Sequence, residues 1–372
     1  MPMTSQAAST SWLAMYVMPI DCPSMTAHYS PSAYQPARIP DQPAATMRSW
    51  LFRFGSSRLP WGHTEDIVPH SMLSHTSPAS LRDVERYEHA LATGEEQREA
   101  YELLDYHQII NHERYRHASL SKRSLFWFYL WGGGRFVFWA FLLLLPFPLL
   151  MEAYESKSGF FSAFFHAAID SAPVFLAPPL ACWAIGSLVV HKLPNWVIRP
   201  SKGPLWEFNR RTGMVTIFDY DNMGEYKRSG TIGEFTYPFH EFDTYISSGP
   251  DRQGLIWHQL HLVHRYHDLA IDLSPIVSKD SSMAPHFAAW DFLQNYMDIG
   301  RPLPDIPLFE KHRANDPTTA AHDRRTGRPE RYWRDMDDET WEAQLMQNLA
   351  RVNAYDITGR LNLMDRHVRY AD

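Results

Sequence analysis

Residues 125–151, LFWFYLWGGGRFVFWAFLLLLPFPLLM, and residues 160–190, FFSAFFHAAIDSAPVFLAPPLACWAIGSLVV, form two long apolar runs. About twenty mainly apolar helical residues suffice to cross the hydrocarbon core of a bilayer, and each run exceeds that length. Only the polar stretch 152–159 separates them, so two helices here must be antiparallel neighbours. We therefore predict a transmembrane helical hairpin at 121–191, in preference to two buried helices of a large soluble domain.

Charged residues refine the limits of the predicted spans. Arg135 follows three glycines, 132–134, so we expect the first span to begin near it and to bend at Pro146. Asp170 divides the second run, which leaves 172–190 as the span and the residues before Asp170 as an interfacial segment. An intramembrane Arg135–Asp170 ion pair is the alternative. A central charge is costly, which favours snorkelling of each side chain to an interface.

Flanking charges predict the orientation of the hairpin. Lys and Arg are concentrated just before and just after it, whereas the connecting loop offers only Lys157 beside two glutamates. Positively charged flanks stay on the cytoplasmic side. Both termini are therefore expected in the cytoplasm, together with the polar segments 1–120 and 191–372.

Composition places sizeable polar domains beside these two spans. The mean hydropathy of -0.37 is that of a soluble chain and argues against a multi-span transporter. A net charge of -7 argues against nucleic acid as the main partner, because a phosphate backbone demands a basic surface. The two cysteines, Cys22 and Cys182, offer no disulfide framework and no cysteine metal cluster.

Residues 1–79 are predicted to be mostly irregular, because Pro, Ser, Ala and Thr are scattered through them. Only residues 49–58 have the aromatic content to dock on a core. The N-terminal stretch has no signal-peptide pattern, so the hairpin is expected to act as its own targeting signal. Met47 is an alternative start of the chain.

Residues 80–120 are predicted to form a cytoplasmic helical hairpin. Ser80 and Asp83 resemble a capping pair, and apolar residues then recur at helical spacing as far as Gly94. A second helix is expected from residue 95 to residue 116, with charged residues on its other faces.

Residues 200–298 are predicted to form a cytoplasmic β-rich domain closed by a helix. The two strands 205–210 and 214–219 flank a tight turn at 211–213. Further strands are expected at 233–237, 242–247, 255–266 and 269–273, with turn residues at 248–250 and Gly254, and the closing helix at 285–298. This α+β order favours one small antiparallel sheet or barrel of the pleckstrin-homology-like kind, by architecture alone.

Residues 299–372 are predicted to form a Pro- and charge-rich segment followed by an amphipathic helix. Asp337 or Asp338 can cap that helix, and Trp341, Leu345 and Val352 recur at helical spacing, which favours packing on the cytoplasmic domain. The four tryptophans of the C-terminal half are also expected in the core: Trp206, Trp257, Trp290 and Trp333.

Three stretches carry a resemblance to a known family: WEFNRRTGMV from Trp206, FTYPFHEFD from Phe235 and LPDIPLFEKHRANDPTTAAHDRRTGRPERYW at 303–333. The chain resembles, over 110–340, an uncharacterised family of bacterial two-span inner-membrane proteins. Some members look to be encoded beside type VI secretion effectors. The resemblance implies a bacterial inner membrane and a secretion-related neighbourhood, and it assigns no site residue.

A regular array of histidines is the strongest local constellation. His258, His261, His264 and His267 recur every third residue in IWHQLHLVHRYHD. In a strand this spacing puts His258 and His264 on one side and His261 and His267 on the other, so one four-ligand metal site is geometrically poor. A metal would draw further ligands from His240, Glu241 or Asp268. The alternative, which we favour, is a set of surface or partly buried strand histidines.

A second cluster of polar residues lies in the Pro- and charge-rich segment: His312, Asp316, His322, Asp323 and Arg324. No nucleophile or metal spacing accompanies it, so ordinary surface polarity around a turn is favoured over a catalytic site. Five arginines follow, and they are expected to pair with Asp323, Glu330 and Asp335 or to touch anionic lipid: Arg324, Arg325, Arg328, Arg331 and Arg334.

Three classes of function remain open. The first is a membrane-anchored, non-enzymatic module that binds a protein partner, which the resemblance narrows to immunity or accessory work for a secreted toxin. The second is a membrane adaptor or scaffold that binds lipid or peptide. The third is a metal-dependent membrane-bound hydrolase that uses the histidine clusters. We find no phosphate-binding loop, G-x-S-x-G or H-E-x-x-H motif, so no catalytic, cofactor-binding or metal-binding residue is assigned.

Overall fold

A computed structural model of the chain describes residues 29–46, 56–62, 64–98, 102–103, 106–155, 159–193, 203–220 and 233–371. It is a mixed α+β protein with antiparallel sheets and two long apolar helical segments. Its contacts divide the chain into two compact units. The sheet unit comprises 1–93, 108–117 and 204–372, and the helical unit comprises 94–107 and 118–203.

The secondary structure of the described residues is as follows. The helices are α1 His70–Ser74, α2 Pro78–Thr93, α3 Lys122–Leu144, α4 Pro146–Glu155, α5 Phe160–Lys192, α6 Ala284–Met297, α7 Pro317–Thr326 and α8 Asp338–Ala354. The strands are β1 Ala45–Thr46, β2 Ser57–Arg58, β3 Ile109–Ile110, β4 Arg114–His117, β5 Trp206–Asn209, β6 Met214–Asp219, β7 Gly233–Pro238, β8 Phe242–Pro250, β9 Ile256–His264, β10 Ala270–Asp272 and β11 Tyr370–Ala371. Short 3-10 helices occupy Pro36–Arg38, Phe239–Glu241, Pro307–Asn315 and Leu363–Arg366.

In the helical unit, α3 and α5 pack side by side along the two apolar runs, and α4 also packs on α5. Two glycines form the closest approach of α3 and α5. A Cβ atom on Gly134 would lie 2.7 Å from the backbone N of Trp183, and one on Gly186 would lie 2.6 Å from the Cα of Trp131. Because no side chain fits in that space, these glycines let the two backbones touch.

The helices extend beyond the predicted spans. α3 begins at Lys122, well before Arg135, and the Ser121 hydroxyl caps it by accepting a hydrogen bond from the N–H of Ser124. α5 continues through Asp170 without a break. The interruption falls at Leu145, as expected from the proline that follows it. Arg135 lies over the Trp183 ring, 6.0 Å from its centroid. Among the ion pairs of the described residues, none joins Arg135 to Asp170.

The sheet unit contains a five-stranded antiparallel sheet in the order β3-β4-β5-β6-β7. β4 precedes the helical segments in sequence and β5 follows them, yet the two are neighbours: His117 pairs with Trp206 and Arg114 with Asn209. The β5–β6 hairpin has the predicted turn, in which Gly213 takes a φ of 70°. In sequence, the helical unit is therefore an insertion between β4 and β5, which are adjacent strands of one sheet.

A four-stranded antiparallel sheet, in the order β10-β9-β8-β2, forms the second layer of strands. β8 and β9 pair over their whole length, from Phe242 opposite His264 to Pro250 opposite Ile256. A short parallel pair joins β1 to β11. The predicted single sheet or barrel is thus corrected to two sheets, because β7 pairs with β6 at one edge while β8, the next strand in sequence, pairs with β9 and β2.

Helix α6 occupies the centre of the hydrophobic core. Every residue from His286 to Met297 is buried, so α6 is enclosed all round and does not offer only one apolar face. Trp61 packs edge-on against Trp290 and Phe239, with ring centroids 4.8 and 4.9 Å away. α8 matches the predicted amphipathic helix, since Asp337 caps it and Trp341 and Val352 are buried. α8 packs on α6 and on α1, which ties the C-terminal segment to the core.

The second helix expected within 80–120 is wrong over its described C-terminal part, which forms β3 and β4. Pairing with β5 decides the structure there, and periodicity within 106–117 cannot reveal that partner. The first helix is confirmed as α2. Its start is capped by Ser77, which accepts a 3.2 Å hydrogen bond from the N–H of Ser80. The expected turn at 248–250 belongs to β8 instead.

The N-terminal region has little regular structure, as predicted, but its described part is firmly packed. Tyr34, Leu59 and Trp61 are buried in the main core. The residues of the predicted docking segment that the structure describes, from 56 onward, include β2, which pairs with β8. Residues 47–55 lie outside the described part of the chain.

Candidate functional site: a groove between α2 and residues 307–334

A groove of about 1070 Å³ runs between α2 and residues 307–334 of the sheet unit. Apolar side chains, including Leu81, Val84 and Leu308, contribute to its lining. Charged side chains of both signs complete it: Glu85, Glu88, Glu310, Lys311, Arg313, Asp323, Arg324, Arg328, Glu330, Arg331 and Arg334. We call this recess the α2 groove.

Ion pairs hold α2 across the groove. Glu85 lies 2.5 Å from Nη1 of Arg331 and 3.1 Å from Nη1 of Arg334, and Lys311 lies 2.7 Å from Glu88. Leu81 supplies the contact of α2 with the main core. Since exposed ion pairs each contribute only about 0–1 kcal/mol, α2 is held by many weak contacts.

Two further ion pairs in the groove are buried. The side chain of Glu310 is 1% exposed, and its Oε2 lies 3.0 Å from Nε of Arg334. Burial raises the pKa of the Glu310 carboxyl, although the Trp333 N–H and Arg334 oppose the shift. Arg313 donates to both oxygens of Asp323 at 2.7 Å. The guanidinium groups are therefore fixed before any partner arrives.

The second predicted polar cluster is divided by the structure. His312, Asp323 and Arg324 line the α2 groove, whereas Asp316 is buried against Arg210. His322 lies 3.4 Å from Asp323. Three of the predicted arginines form ion pairs: Arg328 with Asp305 at 2.7 Å, Arg331 with Asp335 at 3.1 Å, and Arg334 with Glu310. Only Asp335 among these acidic partners was expected.

Arg210, in the β5–β6 turn, is the most connected side chain near this region. It is fully buried, and its Nε lies 3.1 Å from Asp316. Its other nitrogens donate to the carbonyls of Tyr296 at 2.5 Å, Asp298 at 2.9 Å and Arg301 at 2.7 Å. Arg210 thereby joins the five-stranded sheet to the end of α6 and to the start of α7.

The histidine strand has the predicted alternation along β9. His258 and His264 lie on the buried side, at 7% and 0% exposure, while His261 lies on the opposite face. Nδ1 of His264 accepts the backbone N–H groups of Tyr266 and His267, and its Nε2 lies 3.2 Å from Glu241. These contacts explain His264 as a buried side chain with a structural role.

His267 departs from the prediction. The prediction put His267 and His264 on opposite faces of a strand, but the centroids of their rings lie only 4.8 Å apart. The reason is that β9 ends at His264, so strand alternation no longer applies at His267. Within the described residues, no group of three or more His, Cys, Asp or Glu side chains is placed to hold a metal ion.

Trp257 is 36% exposed, so the prediction that it lies in the core is wrong, while Trp206, Trp290 and Trp333 are buried.

His261 makes a contact that the sequence did not suggest. Its Nε2 lies 2.9 Å from the Ser247 hydroxyl, and both residues line a smaller recess of about 470 Å³. Burial lowers the pKa of His261, with Asp272 opposing the shift. The neutral ring can therefore accept the hydroxyl proton of Ser247 in a hydrogen bond. The signal for this pair is the β8–β9 register, which no local motif encodes.

Comparison with protein-family models, with curated proteins and with solved structures finds no match to this chain.

Proposed function

We propose that the protein is a membrane-anchored protein-binding module of the bacterial inner membrane, which captures a protein partner in the α2 groove. The observation that carries this proposal is the groove itself, in which fixed arginines surround apolar side chains. Arginine is enriched at protein interfaces, where the centre of the contact is apolar and the rim polar. Groups held in place before binding also lose less entropy on association.

The helical unit supports membrane anchoring. The helices of this unit are long and apolar enough to cross a membrane. Large apolar side chains point outward from them, with Phe136, Leu143 and Phe161 each exposed by more than 70%. Exposed apolar surface on this scale is unfavourable in water and suits the hydrocarbon core of a bilayer.

Strand pairing in the sheet unit supports a topology with two spans and both flanks on one side. β4 lies just before α3, β5 lies just after α5, and the two strands are hydrogen-bonded neighbours. If α3 and α5 cross a bilayer, their outer ends must emerge on the same face for that pairing to form. The positive flanks then favour the cytoplasm, and with it a cytoplasmic location for both termini.

The partner class that we propose is a secreted toxin, so that the protein does immunity or accessory work for type VI secretion. The support is the family resemblance of 110–340. The alternative is an adaptor that binds lipid or peptide through the domain that was predicted to be pleckstrin-homology-like, which contains two antiparallel sheets and α6. Both roles require an anchored and specific surface.

The test begins with the full chain purified from its native cells in detergent, with mass spectrometry of the proteins that co-purify. Affinity is then measured between the purified partner and two charge-reversal variants. Arg324→Glu changes a residue of the α2 groove, and Arg325→Glu makes the same change one position along α7, outside it. We expect Arg324→Glu to weaken binding by about tenfold, equivalent to ~1.4 kcal/mol, and Arg325→Glu to leave it unchanged.

Equal affinities for the two variants would refute the groove as the binding site. Recovery of the chain without any stoichiometric protein would count against the protein-binding role as a whole. A partner encoded by a neighbouring toxin gene, neutralised in cells by this chain, would support immunity. A partner of another kind would favour the adaptor.

A hydrolase remains the second candidate because of the Ser247–His261 contact of 2.9 Å. A serine beside a neutral histidine is the arrangement of an activated nucleophile. Asp272, the cross-strand partner of His261 in β10, adds a negative charge near the ring. This hydrolase hypothesis uses Ser247 as the nucleophile, whereas the hypothesis from the sequence used a metal ion held by histidines. Labelling by a fluorophosphonate that is lost in Ser247→Ala would favour it over the binding role.

A further inference from the structure

The β8–β9 hairpin ends in a run of exposed apolar residues. Leu255 is 55% exposed, Ile256 is 58% exposed and Trp257 is 36% exposed. They are consecutive, whereas the other large exposed apolar residues described in the sheet unit are separate in sequence. We call residues 251–257 the hairpin tip. Single exposed apolar residues are ordinary, but a cluster of this kind indicates a binding surface.

Hydrogen bonds within the turn hold the hairpin tip rigid. The Oδ1 atom of Asp251 accepts the backbone N–H groups of Gln253 at 2.7 Å and Leu255 at 2.9 Å, and its Oδ2 accepts Nε1 of Trp257 at 3.0 Å. Gly254 supplies the positive φ, +83°, that the turn requires. The apolar side chains are thus presented by a fixed turn, and the polar edge of Trp257 is already satisfied.

Charge around the hairpin tip is balanced. The exposed cations Arg252 and Lys279 are matched in number by the carboxylates of Asp251, in the turn, and of Asp280, which forms a β-bridge with His258. What distinguishes the tip is an indole ring beside two aliphatic side chains. Tryptophan is enriched at membrane–water interfaces, where its apolar ring and polar N–H are both accommodated.

Size decides between a bilayer and a second protein partner. A stable protein interface buries about 800 Å² on each partner, which is far more than three side chains at a turn provide. A bilayer needs a smaller contact, because a domain tethered to a membrane meets that membrane at high effective concentration. Three apolar side chains are then enough to keep the hairpin tip bound for a substantial fraction of the time.

We propose that the hairpin tip is a second membrane contact, which inserts Leu255, Ile256 and Trp257 into the headgroup region of the bilayer. This inference rests on the proposed membrane anchoring. It is independent of the partner in the α2 groove, and it predicts that the sheet unit touches the bilayer through one defined edge of β8 and β9.

A fluorescent reporter on the full chain tests the proposal. In a Cys22→Ser, Cys182→Ser background, Ile256→Cys is labelled with an environment-sensitive dye, and the protein is placed in nanodiscs of phosphatidylcholine with phosphatidylglycerol. Brominated lipids should quench this dye. Leu361→Cys is the matched control, because Leu361 is an apolar residue that is 91% exposed on a different loop, and its dye should not be quenched.

A second labelled variant excludes insertion driven by the dye. The reporter is moved to Gln253→Cys, and Ile256→Asp is added, which should abolish the quenching seen at position 253 alone. Equal quenching at 256 and 361, or none at 256, would overturn the proposal. Loss of the whole chain from the nanodiscs would instead refute membrane anchoring, so the two failures are distinguishable.

Discussion

At the scale of single residues, Arg210 shows how a polar side chain organises this core. It is fully buried, and its donors satisfy Asp316 and four backbone carbonyls of residues 295–301, both far from Arg210 in sequence. Tyr29 donates a further hydrogen bond of 2.6 Å to the same carboxylate. A buried charge is tolerated only when it is paired and hydrogen-bonded, and this one is both.

Arg210→Ala should therefore destabilise the sheet unit strongly. The variant leaves Asp316 as an unpaired buried carboxylate, a loss that typically costs about 3–5 kcal/mol. Arg325→Ala, on the exposed face of α7, should change stability by less than about 0.5 kcal/mol. The stability of both variants is measured by urea unfolding of the solubilised chain, with hydrogen exchange in β5 and α6 as the readout. Similar midpoints for the two variants would contradict the role given to Arg210.

At the scale of elements, the crossing of α3 and α5 offers a test with a built-in control. A Cβ atom on Gly134 would collide with the backbone of Trp183, whereas one on the adjacent Gly133 meets no atom within 4 Å. Gly134→Leu should therefore separate the helices, since backbone cannot yield as a side chain can, and overpacking typically costs about 1–3 kcal/mol.

The readout is the reactivity of Cys182, whose side chain borders Gly134. In a Cys22→Ser background, a membrane-permeant maleimide should label Cys182 faster in Gly134→Leu than in Gly133→Leu or the unchanged chain. Identical rates in all three would show that this glycine does not set the helix crossing.

Elements whose signal is local could be predicted from the sequence, and elements that depend on distant partners could not. The β5–β6 hairpin, α6 and α8 carry their turn, cap or apolar pattern within a few residues. β4 has no such local pattern. It is a strand because it pairs with β5, which follows both apolar runs in the sequence. The Ser247–His261 contact and the burial of Arg210 also depend on partners distant in sequence, so neither could be predicted from WEFNRRTGMV or from the histidine motif alone. The apolar runs contain four glycines, and the sequence does not show that Gly134 and Gly186 are the two at which the backbones of α3 and α5 meet.

At the scale of the whole molecule, half-buried histidines give stability a definite pH dependence. Burial lowers the pKa of both His117 and His240 to about 4. An unfolded histidine titrates near 6.5, so between pH ~6.5 and ~4 the unfolded chain binds protons that the folded chain does not. Stability should therefore be complete above pH ~6.5 and should fall as the pH falls through this window, by at most about 3 kcal/mol for each histidine.

Urea midpoints of the solubilised chain at pH 7 and pH 5 check this expectation. His117→Gln with His240→Gln should reduce the difference between the two midpoints, and His89→Gln, at an exposed position of α2, should not. Equal midpoints at both pH values in the unchanged protein would contradict the argument.

The insertion of the helical segments between β4 and β5 also sets an order of events during biosynthesis. The ribosome completes β3 and β4 before α3 emerges, but their neighbour in the sheet is made only after α5. At about 5–20 residues per second, the wait lasts on the order of ten seconds. Throughout this interval Tyr115 lacks Trp206 and Tyr296, the rings against which it packs in the folded protein. The incomplete chain is therefore the species most exposed to chaperones and proteases.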